Sequence, residues 1–182
     1  ASCATLPAPP PTPRSSSLLS RPVLSPPPRM CVPRSLSRTS PVSTELDEVV
    51  LEWLRKMSGL PEGLKGVIYY TASVSTMHAI AMARENLGLG IREQGMSGRS
   101  DLPLLRVYCS EHTHSSSEKS LITLGLGQRS LVKIETDEKY RVRPDKLAAA
   151  IEKDRLDGQL PCCVVATIGT TSTTSVDNVD AI

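Results

Sequence analysis

Residues 160–174 read LPCCVVATIGTTSTT, an apolar run that ends in a glycine and a crowd of hydroxyls. From Cys162 to Ile168 the run is apolar on both alternating faces, as a central strand of a parallel sheet is. Gly169 to Thr174 then falls at the strand's carboxyl end, where open α/β sheets bind their ligands.

Upstream of this strand the pattern alternates. Pro144 at a first helical position opens a helix to about Leu156, and Leu131 to Glu135 reads as a strand before it. A helix fits Ser115 to Leu126, a strand fits Leu104 to Cys109, and the glycine-rich 88–100 reads as a loop. Thr71-Ala72-Ser73 opens a helical segment to about Leu87, preceded by the β-rich Gly66-Val67-Ile68-Tyr69-Tyr70. Before that, Leu46, Val49, Val50, Trp53, Leu54 and Met57 follow the i, i+3, i+4 spacing of an amphipathic helix. Thr44 with Asp47 suggests its capping box, and Gly59 with Pro61 its stop. The order α, then βαβαβαβ, predicts an α/β fold with a mostly parallel sheet covered by helices.

The first 39 residues belong to none of this. Eleven of the fifteen prolines lie in the first 41 residues, and five arginines stand there with no acid before Glu45. Such a segment is expected to form neither helix nor sheet. A disordered linker, an organellar transit peptide and out-of-frame translation all remain open for it, and both chain ends read as truncated. The expected organisation is therefore a disordered 1–39 followed by one partial domain, 40–182.

Composition narrows the function. Removing those five arginines from the 21 basic residues leaves 16 against 19 acidic, about −3 for the globular part, so no basic face for nucleic acid is implied. Aromatics total 3% and Phe is absent, which removes the stacking platforms of single-strand binders. No apolar run approaches the roughly 18 residues that a membrane-crossing helix needs. The five cysteines are odd in number and lack C-x-x-C spacing, so a reducing, cytoplasmic compartment is expected and a metal site is not.

Three polar clusters mark the predicted carboxyl ends: Thr71-Ala72-Ser73, Ser110 to Ser117, and Gly169 to Thr174. Hydroxyls and spare amides at a helix N-terminus suit a phosphate, but the tripeptide alone favours plain helix capping by Thr71 or Ser73. His112 and His114 lie on one side of an extended segment, yet no further ligand completes a metal set. The threonines after Gly169 satisfy loop backbone as readily as a ligand. Residue chemistry alone stops at a phosphate-bearing ligand on one sheet edge.

Five blocks carry a resemblance: SPVSTELD from Ser40, GVIYYTAS from Gly66, SEHTHSS from Ser110, RPDKLAAAI from Arg143 and VATIGTTSTT from Val165. In this order and spacing they resemble the group II pyridoxal-phosphate-dependent decarboxylases, the family of aromatic-L-amino-acid decarboxylase. The resemblance covers Ser40 to Ile182. It implies the large cofactor domain of the aspartate-aminotransferase type (fold type I), an L-amino acid substrate and a homodimer.

By position, the resemblance sets Ala72 and Ser73, with Thr71 beside them, on the pyridoxal 5'-phosphate phosphate group. His114 would stack on the pyridine ring as the catalytic residue, Thr171 would lie beside the cofactor, and Asp177 would stand near it. The family's cofactor-carrying lysine and pyridine-nitrogen aspartate are expected beyond Ile182, so this chain alone is expected to be inactive. Tyr69 and Tyr70 depart from the polar residue usual before Thr71. Two alternatives accompany the decarboxylase reading: other chemistry on the same scaffold, such as aldehyde synthesis or carbon–sulfur cleavage, and a noncatalytic phosphate- or partner-binding module.

Overall fold

The computed structural model describes residues 2–5 and 41–182, and these fall into two units that part between Tyr70 and Thr71. Residues 40–182, expected as one partial domain, are thus divided at Tyr70 and Thr71. Residues 6–40, most of the segment expected to be disordered, lie outside the described residues.

In the 41–70 unit, helix α1 spans Pro41–Met57. It starts earlier than the capping-box reading, because a proline is tolerated in a first helical turn, and Thr44 therefore lies inside the helix. Its end is as expected. Gly59 takes a φ of 65°, Leu60 N–H donates to Arg55 O at 3.1 Å and Gly59 N–H to Lys56 O at 3.1 Å, which together form a Schellman stop. Gly66 then passes so close to the helix that a Cβ there would stand 2.8 Å from Leu51 Cδ2.

The run Gly66 to Tyr70 is irregular rather than the expected strand. Its β-branched and aromatic side chains supply propensity, but a strand exists only by pairing, and Val67, Ile68 and Tyr70 are exposed.

The larger unit is built on a sheet of order β1-β4-β2-β3. Its strands are β1 (Ser2–Thr5), β2 (Leu105–Ser110), β3 (Leu131–Ile134) and β4 (Leu160–Ala166). β2 pairs parallel with both β3 and β4, which bears out the parallel reading. β1 pairs antiparallel with β4, Ser2 opposite Ala166 and Thr5 opposite Cys163. This strand corrects the expectation that nothing before residue 40 joins a sheet: it fits in the short stretch ahead of Pro7, the first proline. β4 begins two residues before the expected Cys162. A register shift between Arg106 and Val107 lets Pro161, which has no N–H to give, sit at the irregularity.

The helices of this unit are α2 (Ala72–Glu85), the single-turn α3 (Ile91–Gln94), α4 (Ser116–Thr123) and α5 (Pro144–Leu156). One core holds Ile80 and Ala83 of α2 and Leu121 of α4 against Leu105, Val107, Cys109, Cys163 and Val165 of the sheet. The opposite core holds Leu147 of α5 against Tyr108, Ile134 and Val164. The sheet is thus covered on both faces, with β4 buried along nearly its whole length.

Under α5 lies a buried polar knot. Tyr108 Oη donates to Asp154 Oδ2 at 2.7 Å and Arg106 Nε to the same oxygen at 3.0 Å, while Arg106 also donates to Arg129 O. Burial, then the bond to Asp154, pushes the Tyr108 phenol well above its ordinary range, so it stays a donor.

Candidate active site

The carboxyl ends of β2 and β4 lie side by side, and each runs straight into a polar loop. After β2, residues 111–115 turn into α4, and after β4, residues 167–178 fold into a hairpin with Ile168 bridged to Val176. The segment expected as a strand before Thr71 does not bring α2 to this rim. Packing of α2 against α4 does so instead: Ser73, Val74 and Met77 of α2 and Ser116, Lys119 and Ser120 of α4 line one cavity of about 150 Å³.

Thr71 caps α2, its Oγ1 accepting from Val74 N–H at 3.3 Å and its carbonyl from Ser75 N–H at 3.2 Å. Helix geometry leaves the amides of Ala72 and Ser73 without intrahelical acceptors. All three residues are exposed, so these donors and the Ser73 hydroxyl face solvent at the positive end of the helix dipole.

His114 is also exposed, and Ser116 N–H donates to its Nδ1 at 3.2 Å. A neutral His114 ring therefore carries its proton on Nε2, away from that bond. The same ring borders a smaller cavity of about 90 Å³ with Cys109, Thr113, Glu118 and Lys133. Burial pushes the Cys109 thiol up to about 11, opposed by a Thr113 hydrogen bond and the Lys133 charge, so it stays protonated at neutral pH.

His112 points elsewhere. Its ring meets Tyr140 edge-on at 5.2 Å between centroids, which makes it a partner of the loop after β3 rather than only a solvent-facing residue.

Thr171 sits exposed in the hairpin after β4, and the link to His114 runs through other residues: the hydroxyls of Thr167 and Thr113 meet at 3.5 Å. Asp177 differs from the rest. It is 4% exposed and its carboxylate is occupied by backbone, Oδ1 accepting from Val142 N–H and Oδ2 from Thr167 N–H, both at 2.8 Å. Asp177, expected near the cofactor, thus has both carboxylate oxygens engaged by the protein's own backbone.

Thr113, Ser116, Lys119 and Thr167 were not singled out by sequence reasoning. Their signal was adjacency, because each lies inside or beside one of the clusters already marked.

A phosphorylated, flat heteroaromatic group fits these residues. The helix amides and Ser73 offer donors to an anion, Lys119 offers positive charge on the same cavity, and His114 offers a ring fixed at one nitrogen with its faces accessible. Fold and rim define an α/β cofactor-binding domain of fold type I.

The pyridoxal-dependent decarboxylase conserved domain matches residues 36–182, and the chain belongs to that family. Aromatic-L-amino-acid decarboxylase of Manduca sexta is 38% identical over 153 residues, covering 79% of this chain and 30% of that protein. Phenylacetaldehyde synthase of Arabidopsis thaliana is 33% identical, with 79% and 30% covered. The crystal structure of mouse CSAD in apo form matches with a TM-score of 0.75 at 32% identity, covering 80% of this chain and 30% of that one. The chain thus spans about 30% of the length of the curated relatives it matches.

Proposed function

We propose that the protein carrying this chain decarboxylates an L-amino acid with pyridoxal 5'-phosphate, and that the rim at the ends of β2 and β4 is part of its cofactor site. The observation that carries this is the shared cavity of Ser73 and Ser116, which joins the open N-terminus of α2 to the turn holding His114.

When bound, pyridoxal phosphate supplies a ring that takes up the electrons left as carbon dioxide departs. The chain's own residues bind and orient. The amides of Ala72 and Ser73, capped by Thr71, receive the phosphate, and Thr171 borders the group from the hairpin. His114 would stack on the ring and orient it. Ser116 N–H fixes the tilt of that imidazole.

Homodimer formation and a reducing, cytoplasmic setting accompany this reading. The burial of Cys109 and Cys162 as thiols supports the latter. A second reading, aldehyde synthesis on the same scaffold, is favoured by the 33% identity to phenylacetaldehyde synthase.

A product assay on the full-length protein with added cofactor decides between them. Carbon dioxide with an equal amount of amine from one member of an L-amino acid panel is the expected result. Aldehyde in place of amine selects the second reading, and no turnover of any amino acid contradicts both.

A further inference from the structure

We propose that Asp177 is a positioning residue that locks the hairpin after β4 to the loop before α5 and so holds the β4 side of the cofactor rim in place; this rests on the function proposed above. Its two oxygens are divided between two separate segments. Oδ2 takes the Thr167 amide at the strand end, Oδ1 takes the Val142 amide before α5, and the Asp177 N–H returns to Thr167 O at 3.0 Å. Only a carboxylate of this length accepts from both amides at once. An asparagine there would turn an NH₂ group toward one of the two N–H donors.

A second tie runs beside the first. Ser175 Oγ donates to Tyr140 O at 2.9 Å, and Ser175 O accepts from Gly169 N–H at 2.9 Å and Thr170 N–H at 3.2 Å. The two segments joined in this way contain the two non-glycine residues with positive φ among the described residues, Thr174 at 52° and Tyr140 at 60°. A β-branched residue there is strained, and strain of this kind persists where the surroundings over-determine the backbone.

What the lock holds is the route to the rim. Thr167, gripped through its amide, presents its hydroxyl to Thr113, whose N–H is bonded to Ser110 O at 3.0 Å and whose neighbour in sequence is His114. Thr171 rides on the same hairpin. Asp177 itself is buried with both oxygens engaged, so it acts through Thr167 and touches no ligand.

The test is Asp177→Asn in the full-length protein loaded with pyridoxal phosphate, with hydrogen exchange of peptides covering 136–142 and 167–177 and a cofactor titration by absorbance. Exchange in both segments is expected to rise, and the cofactor to bind roughly tenfold more weakly or worse, the scale of a misplaced contact. Ser73→Ala serves as the contrast, weakening cofactor binding with no faster exchange in either segment. Weaker cofactor binding in Asp177→Asn with unchanged exchange overturns the proposal, because it marks a direct ligand, and so does no change in either readout. Should that variant not fold, Ser175→Ala cuts the parallel tie, and unchanged exchange at 136–142 in it overturns the lock. If the wild-type protein binds no cofactor, the proposed function fails while the exchange contrast still decides the lock.

Discussion

The polar groups beneath α5 and those on the rim have opposite fates. Under α5, Tyr108, Arg106 and Asp154 direct their polar atoms at one another inside the protein, with Asp154 only 5% exposed. On the rim, Ser73, His114 and Thr171 are exposed, and His114 bonds locally through one ring nitrogen. Buried polar groups use their bonding capacity to hold the fold, since an unpaired one is costly. Rim groups keep capacity for a ligand. Asp177 stands among rim residues in sequence but behaves like the interior ones.

That contrast predicts stability losses under α5 without a change in cofactor binding. Asp154→Ala has the largest expected effect, about 3–5 kcal/mol, because it strands Arg106 and the Tyr108 hydroxyl together. Denaturant unfolding measures this, and a cofactor spectrum that changes with it would break the separation between the two regions. Tyr108→Phe removes one donor to a charged acceptor and keeps the ring, so a smaller loss of about 1.5–3 kcal/mol is expected in the same assay.

The smallest effect concerns pH. Cys109 has its folded value raised from 9.0 to about 11, so the unfolded chain loses the thiol proton first. Its contribution is complete below about 9 and declines as pH rises toward 11. Melting temperatures of the parent should therefore fall more steeply than those of Cys109→Ala across that interval. Parallel curves would place the Cys109 thiol outside the low-dielectric interior.

Much of the fold is legible in residue pattern. β2, β3, β4, α2 and α5 follow from runs of apolar residues, the cap at Thr71 and Pro144 at its helix start, all of which are local signals. Pairing is not local, and there the reading errs. Gly66 to Tyr70 has the composition of a strand and no strand forms, while Ser2–Thr5 finds a place beside β4 despite the prolines that follow. The apolar stripe of α1 is likewise legible as a stripe, yet Leu46, Trp53 and Met57 are exposed, because periodicity reveals a face and not what covers it.

The rim shows the same limit. Ala72 and Ser73 at a helix start, and His114 and Thr171 in the loops after strands, stand where sequence order alone sets them, and all four are exposed. The burial of Asp177 depends on Val142, 35 residues away, and the contact of His112 with Tyr140 on a loop 28 residues on. Neither partner has a signal in the neighbouring sequence.

The central claim, that the rim holds pyridoxal phosphate with His114 against its ring, is tested most directly by replacing the two histidines separately in the full-length protein. Turnover and the absorbance of bound cofactor are then recorded for His114→Ala and His112→Ala. Loss of the stacked, orienting ring predicts a rate on the order of 10²-fold lower with an altered cofactor band for His114→Ala. His112→Ala, which removes an edge contact to Tyr140, should change the rate far less and leave the band in place. Equal effects from the two variants, or an unchanged cofactor band in His114→Ala, would contradict the account.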